Sequence, residues 1–162
     1  MRDEFRGYES ELKQEGRTAA GCLAHASRKF NGPIKVNQSP LAQQAVQRIA
    51  MIYRVEREAK ALTVNERHAM RQARSRPLWE ELQVWLRLER GRASEGSAVA
   101  RGIEYSLNAW SELTAHLQDG AVPVDNNHSE NLMRPWAMGR KAWLFAGSEL
   151  AGQRAAVVMS LE

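Results

Sequence analysis

The sequence has little of what marks secreted, disulfide-stabilised or membrane-spanning proteins. Its 162 residues include one cysteine, Cys22, so an internal disulfide is excluded. The first residues, MRDEFRGYESELKQEGR, contain no apolar segment of the kind that a signal peptide requires. The uncharged apolar runs fall far short of the roughly 20 residues that a membrane-spanning helix needs. The sequence therefore predicts a cytoplasmic, soluble chain with no membrane partner.

Lysine is scarce as well, with five lysines and 18 arginines among the 23 basic residues. The net charge is +4 and the pI about 9.6, which is mildly basic. The planar guanidinium group can donate two parallel hydrogen bonds to phosphate oxygens, so this composition suits a phosphate-bearing partner. Base composition of the gene would explain the arginine content equally well, and composition alone leaves both explanations open.

The spacing of the cysteine and the histidines does not indicate a zinc site. Cys22 and His25 form a C-x-x-H pair, but no second pair follows at the spacing of a zinc site. We therefore expect Cys22 to be a buried residue on a strand. The surrounding run from Ala19 to Ala26 suits either a buried strand or the start of a helix, and periodicity does not separate the two.

The spacing of apolar residues predicts a helical module over residues 41–120. Apolar positions recur at three- and four-residue steps in three stretches, which begin near Leu41, Leu78 and Val99. Asn31-Gly32-Pro33 and Ser39-Pro40 are predicted turns before it. Within the module we expect the tryptophans to belong to the core and the charged run RVEREAK to form a solvated face.

The stretch VPVDNNHSENLMRP, residues 122–135, is dense in polar side chains. Asn127 and Glu130 have the spacing of a helix-capping box, with asparagine in place of serine or threonine. Pro135 is expected to kink or shorten the helix that follows, and Gly139 to end it. The local sequence leaves open whether Glu130 caps the helix or takes part in chemistry.

The chain resembles the insertion-sequence-66-type DDE transposases along nearly its whole length. The C-terminal resemblance rests on Asp125-Asn126-Asn127, Glu130, Arg134-Pro135, Gly139-Arg140-Lys141, WLFAGS and Arg154-Ala155-Ala156. Upstream it continues through DEFRGY, GCLAHASRKF, YRVERE, PLWEEL and SLNAWSEL.

This resemblance implies a ribonuclease-H-like α/β catalytic fold, in which three carboxylates hold two Mg²⁺ ions. Glu130 matches the third carboxylate and Asp3 the second, with Glu4 beside Asp3 as the alternative. The first aspartate has no match, so we expect a transposase fragment that is inactive alone. The predicted segments are a partial core over residues 1–40, a helical insertion over 41–120 and a C-terminal core segment over 121–162.

The resemblance also implies DNA as a partner, at the terminal repeats of the element and at its target. Arg134, Arg140, Lys141 and Arg154 are the candidates for binding DNA phosphates. A solvated basic rim is the alternative for these four residues. A non-catalytic regulator that binds DNA or transposase is the alternative function, and the resemblance leaves a homo-oligomer open.

Overall fold

The computed structural model describes residues 19–142, 148–150 and 152–154, and this part of the chain is mainly helical. It contains no strand, so the predicted α/β sheet is not confirmed by the described residues. None of the described helices is long and apolar enough to cross a lipid bilayer. The chain divides into two compact units between Asn126 and Asn127, and each is described by itself.

The first unit is a bundle of α-helices joined by short 3₁₀ and π turns. Its α-helices are α1 (Leu23–Asn37), α2 (Pro40–Glu58), α3 (Val64–Met70), α4 (Arg76–Arg92), α5 (Ala98–Asn108) and α6 (Trp110–Thr114). The 3₁₀ turns are Ala59–Ala61 and Ala115–Leu117, and the π-helical turn is Arg71–Ser75. The helices predicted from the spacing of apolar residues are therefore confirmed, whereas the bounds of a separate module over residues 41–120 stay a prediction.

Helix α1 overturns two predictions. Cys22 is buried as expected, but it is the residue immediately before α1 and lies on no strand. Asn31-Gly32-Pro33 does not turn, because the helix continues through Pro33 and ends only at Gln38, which has a positive φ of 51°. Phe30 and Pro33 are both buried, and this packing overcomes the local turn preference.

A single hydrophobic core joins α1 to the helices that follow it. A Cβ atom at Gly102 would lie 3.1 Å from the Phe30 ring, so glycine allows α5 to approach α1 closely. The buried apolar residues include Leu23, Ala26, Phe30, Ala42, Ala45, Ile49, Ile52, Trp79, Leu82, Leu86, Ile103, Leu113 and Leu117. The predicted domain boundary at residue 40 stays a prediction, although the described residues before and after it share one hydrophobic core.

The tryptophans contribute to this core, as predicted. Trp79 is buried and contacts the Trp110 ring edge-on, with the ring centroids 5.3 Å apart. Trp85 and Trp110 are partly buried against the same core. Since edge-to-face aromatic contacts add to area burial, this pair helps to fix α4 against α6.

The helical path from Val64 to Arg92 is uninterrupted, although Pro77 lies within it. The π-helical turn Arg71–Ser75 immediately precedes α4, in which Pro77 occupies the first turn. Proline lacks the N–H group that an α-helix needs, and a π turn is one way to accommodate the lost bond. This turn places Arg71 and Ser75 in the interior.

The described residues of the second unit contain α7 (Asn127–Ala142) and short helical stretches at 149–150 and 152–154. The expectation that Gly139 ends this helix is wrong, because α7 runs through it. Pro135 does not shorten the helix either, and the alternative that it kinks the helix stays a prediction. It begins at Asn127, so Asn126 is the residue before the helix, and the predicted capping role of Asn127 stays a prediction. Most of the predicted extended segment KAWLFAGS lies outside the described residues.

Candidate functional site

The segment His116–Val124, which leads to the Asp125-Asn126-Asn127 motif, is held by a buried arginine. The guanidinium of Arg71 is 1% exposed. Its Nε and Nη2 atoms donate to the two carboxylate oxygens of Glu56, at 2.9 and 2.6 Å. Its Nη1 atom lies 2.9, 3.0 and 2.9 Å from the carbonyl oxygens of His116, Asp119 and Val122. One side chain thus binds α2 and three points of this segment.

A buried guanidinium needs both a counter-charge and hydrogen-bond acceptors, because isolation from water otherwise costs several kcal/mol. Glu56 supplies the charge in a two-bond geometry that suits the planar fork of arginine. The carbonyl oxygens supply the remaining acceptors. The expected solvated face of RVEREAK is therefore wrong at Glu56, which faces inward to Arg71.

Two further contacts bind the same segment to α3 and to the π-helical turn. Arg67 donates from Nη1 to the Gly120 carbonyl at 3.1 Å, and Gln72 donates from Nε2 to the Leu117 carbonyl. Gly120 packs so closely on α3 that a Cβ atom there would lie 2.0 Å from the Val64 carbonyl oxygen. Only glycine fits this approach without moving backbone.

Tyr53 binds the aspartate that opens the DNN motif. Its hydroxyl donates to Asp125 Oδ2 at 2.9 Å, across 72 residues of chain. Burial, and then the negative charge and hydrogen bond of Asp125, raise the pKa of the Tyr53 hydroxyl well above its ordinary value. The hydroxyl therefore stays protonated and remains a donor to the carboxylate at physiological pH.

The start of α1 and the residue before it also lie close to Tyr53 and the segment that precedes Asp125. The Leu23 N–H donates to the carbonyl of the buried Val124 at 3.1 Å. Cys22 and Arg28 are close enough to Tyr53 to act electrostatically on its hydroxyl, Cys22 raising its pKa and Arg28 lowering it. Three stretches that are distant in sequence, GCLAH, YRVERE and VPVD, therefore converge at one place in the first unit.

The sequence that contains these stretches matches a known protein family. Residues 1–154 match the Transposase IS66 family. The chain belongs to this family. Uncharacterized proteins of Sinorhizobium fredii (strain NBRC 101917 / NGR234) are similar to it, among them y4hP and y4jD. Protein y4hP is 36% identical over 156 residues, which cover 89% of this chain and 28% of y4hP. Protein y4jD is 35% identical over 165 residues, which cover 98% of this chain and 32% of y4jD.

This family member spans about a third of the length of these relatives. No solved structure matches it. Membership of the transposase IS66 family gives the chain a transposase-related role in a mobile element. The predicted resemblance to the family is confirmed.

The structure places the predicted site residues of this transposase-family chain as follows. Glu130 lies in the first turn of α7 and is partly buried, and Arg134 is exposed one turn later on the same helix. Arg140 and Lys141 lie near the end of α7, where only the backbone is described, and Arg154 is exposed in the short helical residues 152–154. Asp3 and Glu4 lie outside the described residues, so their pairing with Glu130 stays a prediction.

Sequence reasoning missed the residues that hold the motif in place. Asp125 was recognised as part of the family motif, but its bond to Tyr53 was not predicted. Arg71 stands in the basic stretch ERHAMRQARSRP, where nothing in the local pattern distinguishes it from the arginines beside it. The available signal was that Ile52 and Val55 lie on the face of α2 that packs into the hydrophobic core, and Glu56 borders that face.

Proposed function

We propose that Glu130 is one of the carboxylates of a Mg²⁺-dependent DDE site, and that the whole protein catalyses phosphoryl transfer on the DNA ends of a mobile element. The observation that carries this proposal is the position of Glu130 in the first turn of α7, immediately after the DNN motif of the transposase IS66 family. The proposal includes the ribonuclease-H-like core, formed from residues 1–40 and 121–162, with residues 41–120 as a helical insertion.

The chemistry of the donor fits this metal. Mg²⁺ prefers oxygen ligands and is commonly bound through one or two carboxylates together with substrate phosphates. Glu130 offers such a ligand from a helix, and Asp3, or Glu4 beside it, is the proposed second ligand. When bound, a pair of Mg²⁺ ions supplies stabilisation of the attacking and leaving oxygens of an in-line displacement.

The role that we propose for the described basic residues is to bind the DNA backbone. Arg134 lies four residues after Glu130 and is exposed, so both side chains project from the same side of α7. Arg154 is exposed as well, and Arg140 and Lys141 complete the proposed set. Contacts to phosphate fix the position of a duplex without reading its sequence.

The buried network of the first unit supports this role by fixing the chain that precedes Glu130. Arg71 and Tyr53 bind the segment from His116 to Asp125 at four points, and Asp125 stands five residues before Glu130. We propose that Tyr53 and Arg71 are positioning residues, which keep the DNN motif in one conformation.

The metal proposal is tested with Mn²⁺, a paramagnetic ion that accepts the same oxygen ligands as Mg²⁺. The measurement is the broadening of backbone amide NMR signals as Mn²⁺ is added to the full chain. We expect the amides at the start of α7 to broaden first, and Glu130→Gln to abolish that broadening. The matched control is Glu149→Gln, an exposed acid of the second unit, which should leave the broadening unchanged. Broadening elsewhere, or broadening that survives in E130Q, would overturn the metal assignment.

The DNA proposal is tested by the salt dependence of binding to duplex DNA that carries the ends of an element. Each phosphate contact contributes about 0.9 to the slope of log K against log salt concentration. Arg134→Ala and Arg154→Ala should each lower the slope by about this amount, whereas Arg92→Ala on α4 should not. Slopes unchanged in both variants would contradict the assigned contacts.

Incubation of the same DNA with Mg²⁺ separates the catalytic from the regulatory function. We propose that this chain alone binds DNA without nicking it, because the resemblance places only two of three carboxylates within its 162 residues. Nicking that is lost in E130Q would show that the chain is active by itself. The non-catalytic regulator would be favoured by two results together. E130Q would bind DNA as tightly as the wild type, and a longer relative would also bind DNA without nicking it.

A further inference from the structure

The outer face of α4 carries an exposed stripe with the spacing of a coiled-coil seam. The stripe consists of Pro77, Glu81, Val84, Leu88 and Gly91, which follow one another at steps of four and three residues. Val84 and Leu88 are each 60% exposed. The opposite face of the same helix is buried in the core through Trp79, Leu82 and Leu86. Helix α4 is therefore apolar on two sides, and the described residues cover only one.

A shallow groove accompanies the stripe. It is lined by Arg48, Glu80, Glu81, Val84, Trp85 and Leu88. The Arg48 guanidinium lies 5.0 Å from the centre of the Trp85 ring, which fixes the α2 side of the groove by a cation–π contact. Val84 and Leu88 form the apolar rim of the groove, and both are exposed.

The charges on the outer face of α4 change sign at Val84. Glu80 and Glu81 stand four and three residues before it, and Arg87 stands three residues after it. These three side chains are exposed, and no ion pair joins any of them to another of the described residues. A charge pattern that reverses about its own centre matches an antiparallel copy of itself.

We propose that the outer face of α4 is a homodimer interface, in which α4 packs antiparallel against α4 of a second copy of this chain. With the two-fold axis near Val84, Val84 meets its own counterpart. Arg87 faces the partner's Glu80, because these two residues are seven apart and lie on the same flank of the stripe. Gly91 and Pro77 then lie opposite each other, where small side chains let the helix backbones approach.

The same features favour a second copy over other occupants. A DNA duplex or an anionic membrane would be repelled by Glu80 and Glu81, which border the apolar centre of the stripe. A two-fold contact uses one surface twice and closes after two copies, so it needs the self-complementary pattern that α4 has. One helix pair buries less than the roughly 1,600 Å² of a standard interface, so we expect a weak, concentration-dependent dimer.

The test is sedimentation equilibrium of the full chain over a range of concentrations, with charge variants of the α4 stripe. Arg87→Glu makes the facing residues all acidic, and the double variant Glu80→Arg/Glu81→Arg makes them all basic. Each variant alone should dimerise at least about tenfold more weakly than the wild type, since like charges then face each other. An equimolar mixture of the two should form a heterodimer, because every facing pair is then opposite in charge.

Arg101→Glu on α5 is the control, since it makes the same charge change at an exposed position off the stripe. It should leave the dimerisation constant unchanged. All variants lie on the surface, and their far-ultraviolet circular dichroism verifies that each is folded. A wild-type chain that stays monomeric at every concentration would overturn the proposal. So would variants that fail to pair in the mixture, or a loss in R101E equal to that in R87E.

Discussion

Replacing Arg71 with methionine removes a buried positive charge. The Glu56 carboxylate and three backbone carbonyl oxygens then lose their hydrogen-bond donor. Arg71 makes five hydrogen bonds, two to Glu56 and three to backbone carbonyls of residues 116–122. The side chains of the ion pair are 2% and 11% exposed, so water cannot replace the lost partner of Glu56. Breaking a buried pair from one side costs about 3–5 kcal/mol. We expect R71M to lose this much free energy of unfolding.

The protein contains a matched surface pair between the same two parts of the bundle. Arg74 binds Glu58 at 2.5 Å, with side chains 49% and 44% exposed. Exposed ion pairs contribute about 0–1 kcal/mol, because water screens the attraction and solvates the partner that remains. Arg74→Met should therefore cost less than about 1 kcal/mol, although it removes the same kind of ion pair three residues away.

The assay is urea unfolding followed by tryptophan fluorescence and circular dichroism. Glu56→Gln and the double variant E56Q/R71M complete a double-mutant cycle, and we expect the double variant to cost less than the sum of the single changes. This pattern would show that most of the loss in R71M comes from the unpaired carboxylate. An R71M cost equal to that of R74M, or additive costs at Glu56 and Arg71, would refute the reasoning. If R71M does not fold, the same contrast between a buried and an exposed ion pair is measured by comparing the unfolding free energies of E56Q and Glu58→Gln.

Two further predictions concern titratable groups of the first unit. Burial lowers the pKa of His116 to about 4, and its Nδ1 atom lies 2.9 Å from the Leu113 carbonyl, so the folded state holds the neutral ring. As the pH falls from about 6.5 to about 4, only the unfolded state gains this proton. The free energy of unfolding of the wild type should therefore fall by up to about 3 kcal/mol more than that of His116→Gln. Parallel curves of unfolding free energy against pH for the two proteins would contradict this. Tyr53→Phe removes the donor to Asp125 and should cost about 1–3 kcal/mol in urea unfolding. Because the pKa of Tyr53 is raised, this tyrosine should stay protonated up to about pH 11, and the wild type and Y53F should gain the same phenolate absorbance. A larger gain in the wild type, equal to the absorbance of one more tyrosine, would contradict the prediction.

The helices of the first unit show how far the local sequence reaches. Apolar residues at three- and four-residue steps predicted α2 and α4, and Ser39-Pro40 marks the start of α2 as expected. Asn31-Gly32-Pro33 carries a stronger local turn signal, yet α1 continues through it. Burial of Phe30 and Pro33 against the other helices decided this, and that contribution does not appear in the order of neighbouring residues.

The candidate site divides in the same way. The DNN motif and Glu130, and with them the family, can be recognised from the sequence alone, because these residues lie close together in the chain. The partners that hold the motif cannot, since Tyr53 lies 72 residues from Asp125 and Arg71 lies 51 residues from Val122. A side chain's periodicity indicates which face of a helix it occupies, but not what it meets there. Only the packing of the bundle brings the guanidinium of Arg71 into the interior, where its charge requires Glu56 and three carbonyl oxygens as partners.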